Sequence, residues 1–127
     1  MNIYGYGIDL IDINRLGRKL EKSPNLLKRI YNKNEIKQCK KKITKYNCFA
    51  KKFAAKEAFS KALGTGFTKG LSLKDIEINK NKSGKPKIIL HGKSIKIVKN
   101  RLKKRYKILL SISDEKKIAF ASVLIIL

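Results

Sequence analysis

Lys52, Lys56 and Lys61 surround a single carboxylate, Glu57, in a chain that has only nine acidic residues. The segment from Phe53 to Gly66 reads Phe-Ala-Ala-Lys-Glu-Ala-Phe-Ser-Lys-Ala-Leu-Gly-Thr-Gly, a helix that ends on glycine. Two chemistries fit this set. Glu57 can pair with Lys61 one turn later, in the favourable Glu-before-Lys order, for roughly 0.2–0.5 kcal/mol. Alternatively, Glu57 can hold a divalent cation while the lysines hold phosphates, because magnesium takes one or two carboxylates and leaves positions for phosphate oxygens. The helix by itself is compatible with both.

A second carboxylate stands near the start of the chain. Residues 3–9 alternate as a strand, with Tyr4, Tyr6 and Ile8 on one face and Ile3, Gly5, Gly7 and Asp9 on the other. A face bare of side chains admits a ligand or another backbone, and Asp9 sits at its end. Asp12 reads as the cap of the next helix. Asp9 fits either a cap or a metal ligand.

The elements that must position these groups follow from periodicity. A helix over 12–22 carries Ile13, Leu16 and Leu20 inward, with Arg15, Arg18 and Lys19 outward. Ser23-Pro24 breaks it, and a short helix or turn follows over 25–31. A lysine-rich helix over 32–43 has few apolar anchors, which predicts weak attachment. The central helix spans about 48–63, with Asn47 as N-cap and Gly64 as the residue past its end. A flexible glycine loop then runs to Gly70, and its backbone can approach phosphate. Strands follow over 71–79 and 86–91, turned at Ser83-Gly84. A basic helix over 93–104 carries Ile95, Ile97, Val98 and Leu102. The last element is a hairpin of strands 106–113 and 118–126. This order predicts an α+β fold, one domain over 1–127, with mainly antiparallel strands and a central helix.

The net charge of +23 implies a polyanionic, phosphorylated or acidic partner. Lysines (27) far outnumber arginines (5), and Ile and Asn are abundant; this bias matches AT-rich codons, so part of the charge needs no target. A small nucleic-acid-binding, ribosome-associated protein is the rival reading, supported by the basic helices at 32–43 and 93–104. Aromatics make up only 8% of the chain and no RNA-binding motif is present, and that reading leaves Asp9 and Glu57 unexplained. A membrane-surface role would explain the charge alone. No apolar run reaches the length of a membrane span, and the first residues alternate, unlike a secretion signal. Cys39 and Cys48 show no metal spacing and read as reduced thiols of a cytosolic protein. The lone His91 reads as a surface residue.

Three separated pieces together resemble one family. They are Gly7-Ile8-Asp9-Leu10-Ile11-Asp12-Ile13-Asn14-Arg15, the Phe53 to Gly66 segment, and Ser111-Ile112-Ser113-Asp114-Glu115 with Ala119 and Ala121 following. Gly84-Lys85-Pro86 before a strand also suits it. The chain is identified as similar to the holo-[acyl-carrier-protein] synthases, the small bacterial class of 4′-phosphopantetheinyl transferases. The resemblance implies transfer of the phosphopantetheine arm of coenzyme A to a serine of apo acyl carrier protein, a cytoplasmic step of fatty acid biosynthesis that releases adenosine 3′,5′-bisphosphate. It implies magnesium on Asp9 and Glu57, which with Lys61 form the catalytic set. It implies coenzyme A contacts from Lys52, Lys56, Lys61, Gly64, Gly66, Ser111 and Ser113, and a carrier-protein face at Arg15 and Arg18. Relatives carry Arg at position 52, so Lys52 gives up bidentate geometry. Some relatives carry His where this chain has Leu109 or Asp114, which removes a histidine base and leaves the serine proton to Glu57 or a water on the metal. The resemblance further implies a homotrimer, with Asp9 and Glu57 from one chain and part of the nucleotide pocket from the next. The C-terminal strand, apolar on both faces toward its end, agrees with association.

Overall fold

The computed structural model describes residues 1–67 and 70–127. In chain order the elements are β1 (Ile3–Asp12), α1 (Ile13–Lys22), α2 (Pro24–Ile30), α3 (Lys33–Lys40), α4 (Lys45–Leu63), β2 (Ile76–Lys80), β3 (Pro86–Leu90), α5 (Lys93–Leu102), β4 (Lys107–Glu115) and β5 (Ile118–Ile126). Part of the glycine loop predicted between Gly64 and Gly70, residues 68–69, lies outside the described residues. Two antiparallel sheets result, one of three strands in the order β1-β5-β4 and a β2-β3 hairpin. The α+β architecture agrees with the sequence expectation. Among the described residues, no helix is long and apolar enough to cross a membrane.

The bare face of β1 is filled by another backbone. A Cβ on Gly5 would lie 1.9 Å from the Ala62 carbonyl oxygen, and one on Gly7 would lie 2.1 Å from that of Ala58. Helix α4 therefore rests directly on the strand. The small residues Ala54, Ala55, Ala58 and Ala62 make the close approach possible, while Phe59, Leu63, Val123 and Ile125 are fully buried around it. Burial of each of these larger side chains contributes about 1.5–3 kcal/mol. The β5 residues Ala119, Ala121, Val123 and Ile125 all point to the buried side, which fixes the register because a one-residue slip would expose the whole set.

The other face of this sheet is uncovered. Tyr6 is 62% exposed, Ile8 44% and Leu10 64%. They stand beside Leu124, Ser122 and Phe120 of β5. A bulge between Ile3 and Gly5 leaves Tyr4 as the extra residue and places Ile3 opposite Ile126, not on the glycine side. The strict alternation expected over 3–9 holds only from Gly5 onward, since a bulge shifts the side-chain phase by one.

Helix termini obey local capping rules in most places. The Asp12 side chain accepts from the Arg15 N–H at 2.9 Å, as predicted. Ser23 caps α2 ahead of Pro24, and Asn32 with Glu35 forms a capping box on α3. Helix α4 starts three residues before the predicted 48, and Thr44 is its N-cap residue with no side-chain bond. Asn47 therefore lies inside the helix and donates to Asp114 Oδ2 at 2.9 Å. At the far end Gly64 takes a left-handed conformation, φ 84°, and Arg101 donates to the Leu63 and Gly64 carbonyls at 2.9 and 3.2 Å. The predicted strand over 71–79 is shorter than expected, because residues 73–75 form a 3-10 turn before β2.

Helix α3 is held by means other than apolar anchors. Cys39 and Cys48 form a disulfide, S–S 2.01 Å, that ties α3 to the first turns of α4. This corrects the expectation of reduced thiols. Glu35 of α3 is fully buried and supplies a second attachment, described below. The weak anchoring predicted for this helix fails because cysteine and glutamate, not aliphatic residues, do the holding.

Candidate active site

Asp9 lies between Gly7 and Ile11 on the helix-facing side of β1, just past the glycines where α4 passes at backbone distance. Lys61 Nζ lies 3.1 Å from Asp9 Oδ1 and donates to the Ile8 carbonyl at 3.0 Å. The other Asp9 oxygen, Oδ2, is buried and has no hydrogen-bond partner. Glu57 stands one turn before Lys61 on the same face of α4. Its pKa is raised, first by burial and then by the charge of Asp9, with Lys61 opposing. The i,i+4 pairing weighed from sequence is thus replaced: Lys61 reaches across to the strand, and Glu57 is left facing a like charge.

Two adjacent carboxylates, one with an orphaned buried oxygen, have the chemistry to hold a hard divalent cation. Among the described residues no cluster of three or more metal-type side chains gathers. Magnesium keeps waters and substrate phosphate oxygens in its shell and needs few protein ligands.

Lys52 and Lys56 do not join this group. Five residues along an α-helix is a rotation of about 140° from one face to the next, so Lys52 and Glu57 point different ways. Lys56 is fully buried: its ammonium donates to Glu35 Oε1 at 2.8 Å, the Leu73 carbonyl at 2.8 Å and the Ile76 carbonyl at 2.7 Å. Burial lowers its pKa while Glu35 pulls it back up. All three of its protons are engaged in holding α3, α4 and β2 together, which corrects the expectation that Lys56 grips a phosphate. Breaking such a pair by removing one partner costs about 3–5 kcal/mol, because the other charge is left buried and alone.

Lys52 donates to the Ile78 carbonyl at 2.6 Å and to Gln38 Oε1 at 3.0 Å, leaving one proton unassigned by these bonds. Burial brings its pKa down to about 8. It lines a cavity of about 400 Å³ together with Lys41, Lys42, Lys51, Lys80 and Pro86. Of these, only Lys52 and the Gly84-Lys85-Pro86 turn stand out in the sequence. The other four lysines carry no pattern of their own: Lys51 adjoins Lys52 on α4, Lys41 and Lys42 come from the connection between α3 and α4, and β2 brings Lys80.

Gly64 and Gly66 both have positive φ, 84° and 58°, and lie just past Lys61. A Cβ on Gly66 would meet nothing within 4 Å, so its backbone is open. Ser111 and Ser113 share one exposed face of β4, as alternation predicted, while Leu110 and Ile112 turn to the core. That face is opposite the Asp9 side of the sheet, so the two serines and Glu57 do not meet within one chain. Asp114, where some relatives carry His, accepts from Asn47 and lies 3.7 Å from Lys51. His91 is half-exposed and sits 2.8 Å from Glu77, so it is more than a free surface residue.

Arg15 and Arg18 are exposed on α1. Arg15 and Lys19 flank an apolar groove of about 380 Å³ floored by Leu16, Leu26, Ile30 and Phe53. Leu10 and Ile11, next in sequence to Asp9, continue the same groove. A rim of cations over an apolar floor, running up to a carboxylate pair, suits an acidic partner that presents an apolar helix face.

The chain is similar to known proteins over nearly its whole length. A model of the 4′-phosphopantetheinyl transferase superfamily matches residues 5–121. A holo-[acyl-carrier-protein] synthase of Pelagibacter ubique is 44% identical over 126 residues, covering 98% of each chain. Among solved structures, the holo-[acyl-carrier-protein] synthase of Neisseria meningitidis superposes with a TM-score of 0.86 at 32% identity, covering 98% of both chains. That of Bacillus anthracis, solved in complex with CoA (3′,5′-ADP), superposes with a TM-score of 0.78 at 37% identity, covering 97% of this chain and 96% of the other.

Proposed function

We propose the reaction from one premise: this chain belongs to the 4′-phosphopantetheinyl transferase superfamily, among the holo-[acyl-carrier-protein] synthases. It moves 4′-phosphopantetheine from coenzyme A to a serine hydroxyl of apo acyl carrier protein in the cytoplasm. The serine hydroxyl gives up its proton, to Glu57 or to a water, as its oxygen forms a new bond to the β-phosphorus of the pyrophosphate. The bridging P–O bond breaks, and adenosine 3′,5′-bisphosphate departs with the electron pair. The observation that carries the reading is the orphaned Oδ2 of Asp9 beside Glu57 and Lys61.

In this reading Asp9 and Glu57 hold a magnesium ion. When bound, the ion neutralises charge that develops on the pyrophosphate oxygens. Lys61 bridges between that carboxylate pair and the departing phosphate, where a fixed cation is worth most as negative charge builds. The open backbone at Gly64 and Gly66 lets the nucleotide lie close. The groove beside Arg15, with Arg18 further along α1, receives the acidic carrier and brings its serine toward Asp9.

A homotrimer completes the reading. The uncovered apolar sheet face carries Ser111 and Ser113, and the Lys52 cavity opens on the side of α4 away from Glu57. One chain therefore cannot wrap a single coenzyme A with all of these groups, whereas a neighbour can supply Lys52 and the serines to the Asp9–Glu57 edge. A cyclic arrangement also buries Tyr6, Ile8 and Leu10. Light scattering on the purified protein tests this: a fully active monomer at all accessible concentrations overturns it. For the reaction, apo carrier protein is incubated with this protein, coenzyme A and magnesium, and its mass is measured. A gain of one phosphopantetheine is expected, and an unchanged carrier mass refutes the assignment.

A further inference from the structure

Behind Lys52 runs a chain of side-chain hydrogen bonds through Gln38 and Asn79, which line the cavity, to a carboxylate that does not. Glu77 on β2 is 2% exposed. Its Oε2 accepts from Asn79 Nδ2 at 2.7 Å. Asn79 Oδ1 accepts from Gln38 Nε2 at 3.3 Å, and Gln38 Oε1 accepts from Lys52 Nζ at 3.0 Å. Glu77 Oε1 accepts from Asn32 Nδ2 and from His91 Nε2, each at 2.8 Å.

The chain has a direction. An ionised carboxylate only accepts, so Glu77 obliges Asn79 to present its NH₂ group. The Asn79 oxygen then faces Gln38, which must present its own NH₂, and the Gln38 oxygen is left for the Lys52 ammonium. The amides are thus poled between a negative end and a positive end. Polarised chains of this kind strengthen each link. The three hydrogen bonds to Glu77 also lower its pKa, against the effect of burial, which keeps the carboxylate ionised and the direction set.

We propose that Glu77, acting through Asn79 and Gln38, is a positioning residue for coenzyme A binding: it fixes the Lys52 ammonium with one proton turned to the basic cavity. The inference rests on the reading that Lys52 meets an anionic group of coenzyme A. Glu77 does not line that cavity, so it acts without touching the ligand. A carboxamide in its place would keep one oxygen for Asn32 and His91 and set its NH₂ against the NH₂ of Asn79. Relieving that clash turns the Asn79 amide at the cost of the bond its oxygen accepts from the Lys80 N–H at 2.8 Å; the Gln38 amide turns with it, and Lys52 would face an NH₂ group.

The test is a double-mutant cycle read by calorimetric binding of coenzyme A, which isolates coupling between two positions. Glu77→Gln is expected to weaken binding about tenfold, the effect of one lost charge-assisted hydrogen bond. Lys52→Met should weaken it by at least as much, and Glu77→Gln should add nothing in the Lys52→Met background. His91→Ala removes a donor to Glu77 outside the chain and should leave coenzyme A affinity unchanged. Wild-type affinity in Glu77→Gln, or the same tenfold loss in the Lys52→Met background, overturns the positioning role. Wild-type affinity in Lys52→Met alone overturns the cavity reading instead. If Glu77→Gln does not fold, Asn79→Ala goes through the same cycle with the same outcomes required.

Discussion

The contact between β1 and α4 sets the distance between Asp9 and Lys61, and one methyl group should be enough to open it. In Gly7→Ala the new Cβ would sit 2.1 Å from the Ala58 carbonyl oxygen and 2.7 Å from the Ala62 nitrogen. Ordinary contact needs about 3.5 Å, so strand and helix must part by roughly 1.4 Å. Lys61, now 3.1 Å from Asp9, would move beyond hydrogen-bond reach. The displaced packing should cost about 1–3 kcal/mol, a fall of roughly 4–12 °C in Tm for a chain of this size. Misplacing a catalytic group by about 1 Å can cost about 100-fold in rate, so transfer should fall by that order at saturating magnesium. Thermal melting and a phosphopantetheine transfer assay read the two effects. Ala58→Gly should not rescue the variant, because the obstacle is a backbone carbonyl and not a side chain. A melting curve within about 1 °C of wild type, with turnover within about threefold, would refute the reasoning, as would rescue by Ala58→Gly.

Other outcomes follow from the same geometry. Asp9→Asn and Glu57→Gln should each abolish transfer with the fold retained by circular dichroism, and near-normal turnover of either at limiting magnesium would reject the metal assignment. Arg15→Ala should raise KM for carrier protein and spare coenzyme A affinity; rising salt should act the same way, since screening cuts the reach of surface charge to about 8 Å at physiological strength. Lys52 titrates near 8 in the folded protein, below its ordinary value of 10.5, chiefly through burial. The unfolded chain therefore holds more protons over that window, so stability should rise as pH climbs from about 8 to 10, and Lys56, also lowered, adds in the same sense. Coenzyme A affinity should fall over the same range as the ammonium is lost. Calorimetric affinity and melting temperature that move together with pH would contradict the role of Lys52.

Much of this was legible in the sequence because it was written in local signals. Asp12 marks a helix start, Ser23-Pro24 marks a break, and the β4-β5 hairpin alternates as a half-buried sheet should. Gly5 and Gly7 marked a close approach, although the sequence did not say whether a ligand or a helix would occupy it. What stayed hidden depended on distant partners. Helix α4 is buried on nearly every side, so its apolar residues show no single face and its start was misplaced. The same helix looked like one row of lysines, yet a count of residues per turn separates Lys52 and Lys56 from Glu57 and Lys61. The fate of Lys56 rested on Glu35, 21 residues away, and no spacing rule links them. The Cys39–Cys48 pair was misread because spacing alone says nothing about which helix faces which.

The pairing of β1 with β5 bears on how this protein is made. Ile3 lies opposite Ile126, and Asp9 opposite Ala121. The first strand is thus matched to the last, and the strand that carries Asp9 has no sheet to join until residues 118–126 leave the ribosome. Contacts of such sequence separation close slowly, because the loop entropy is lost before the contact repays it. During synthesis α4 can form with its alanine face bare, and β1 can wander with both edges unpaired. A chain in that state is exposed to aggregation, and Asp9 has not yet met Glu57 and Lys61. Activity should therefore appear late in refolding, with the same rate constant as β1 amide protection, and after helix formation is complete.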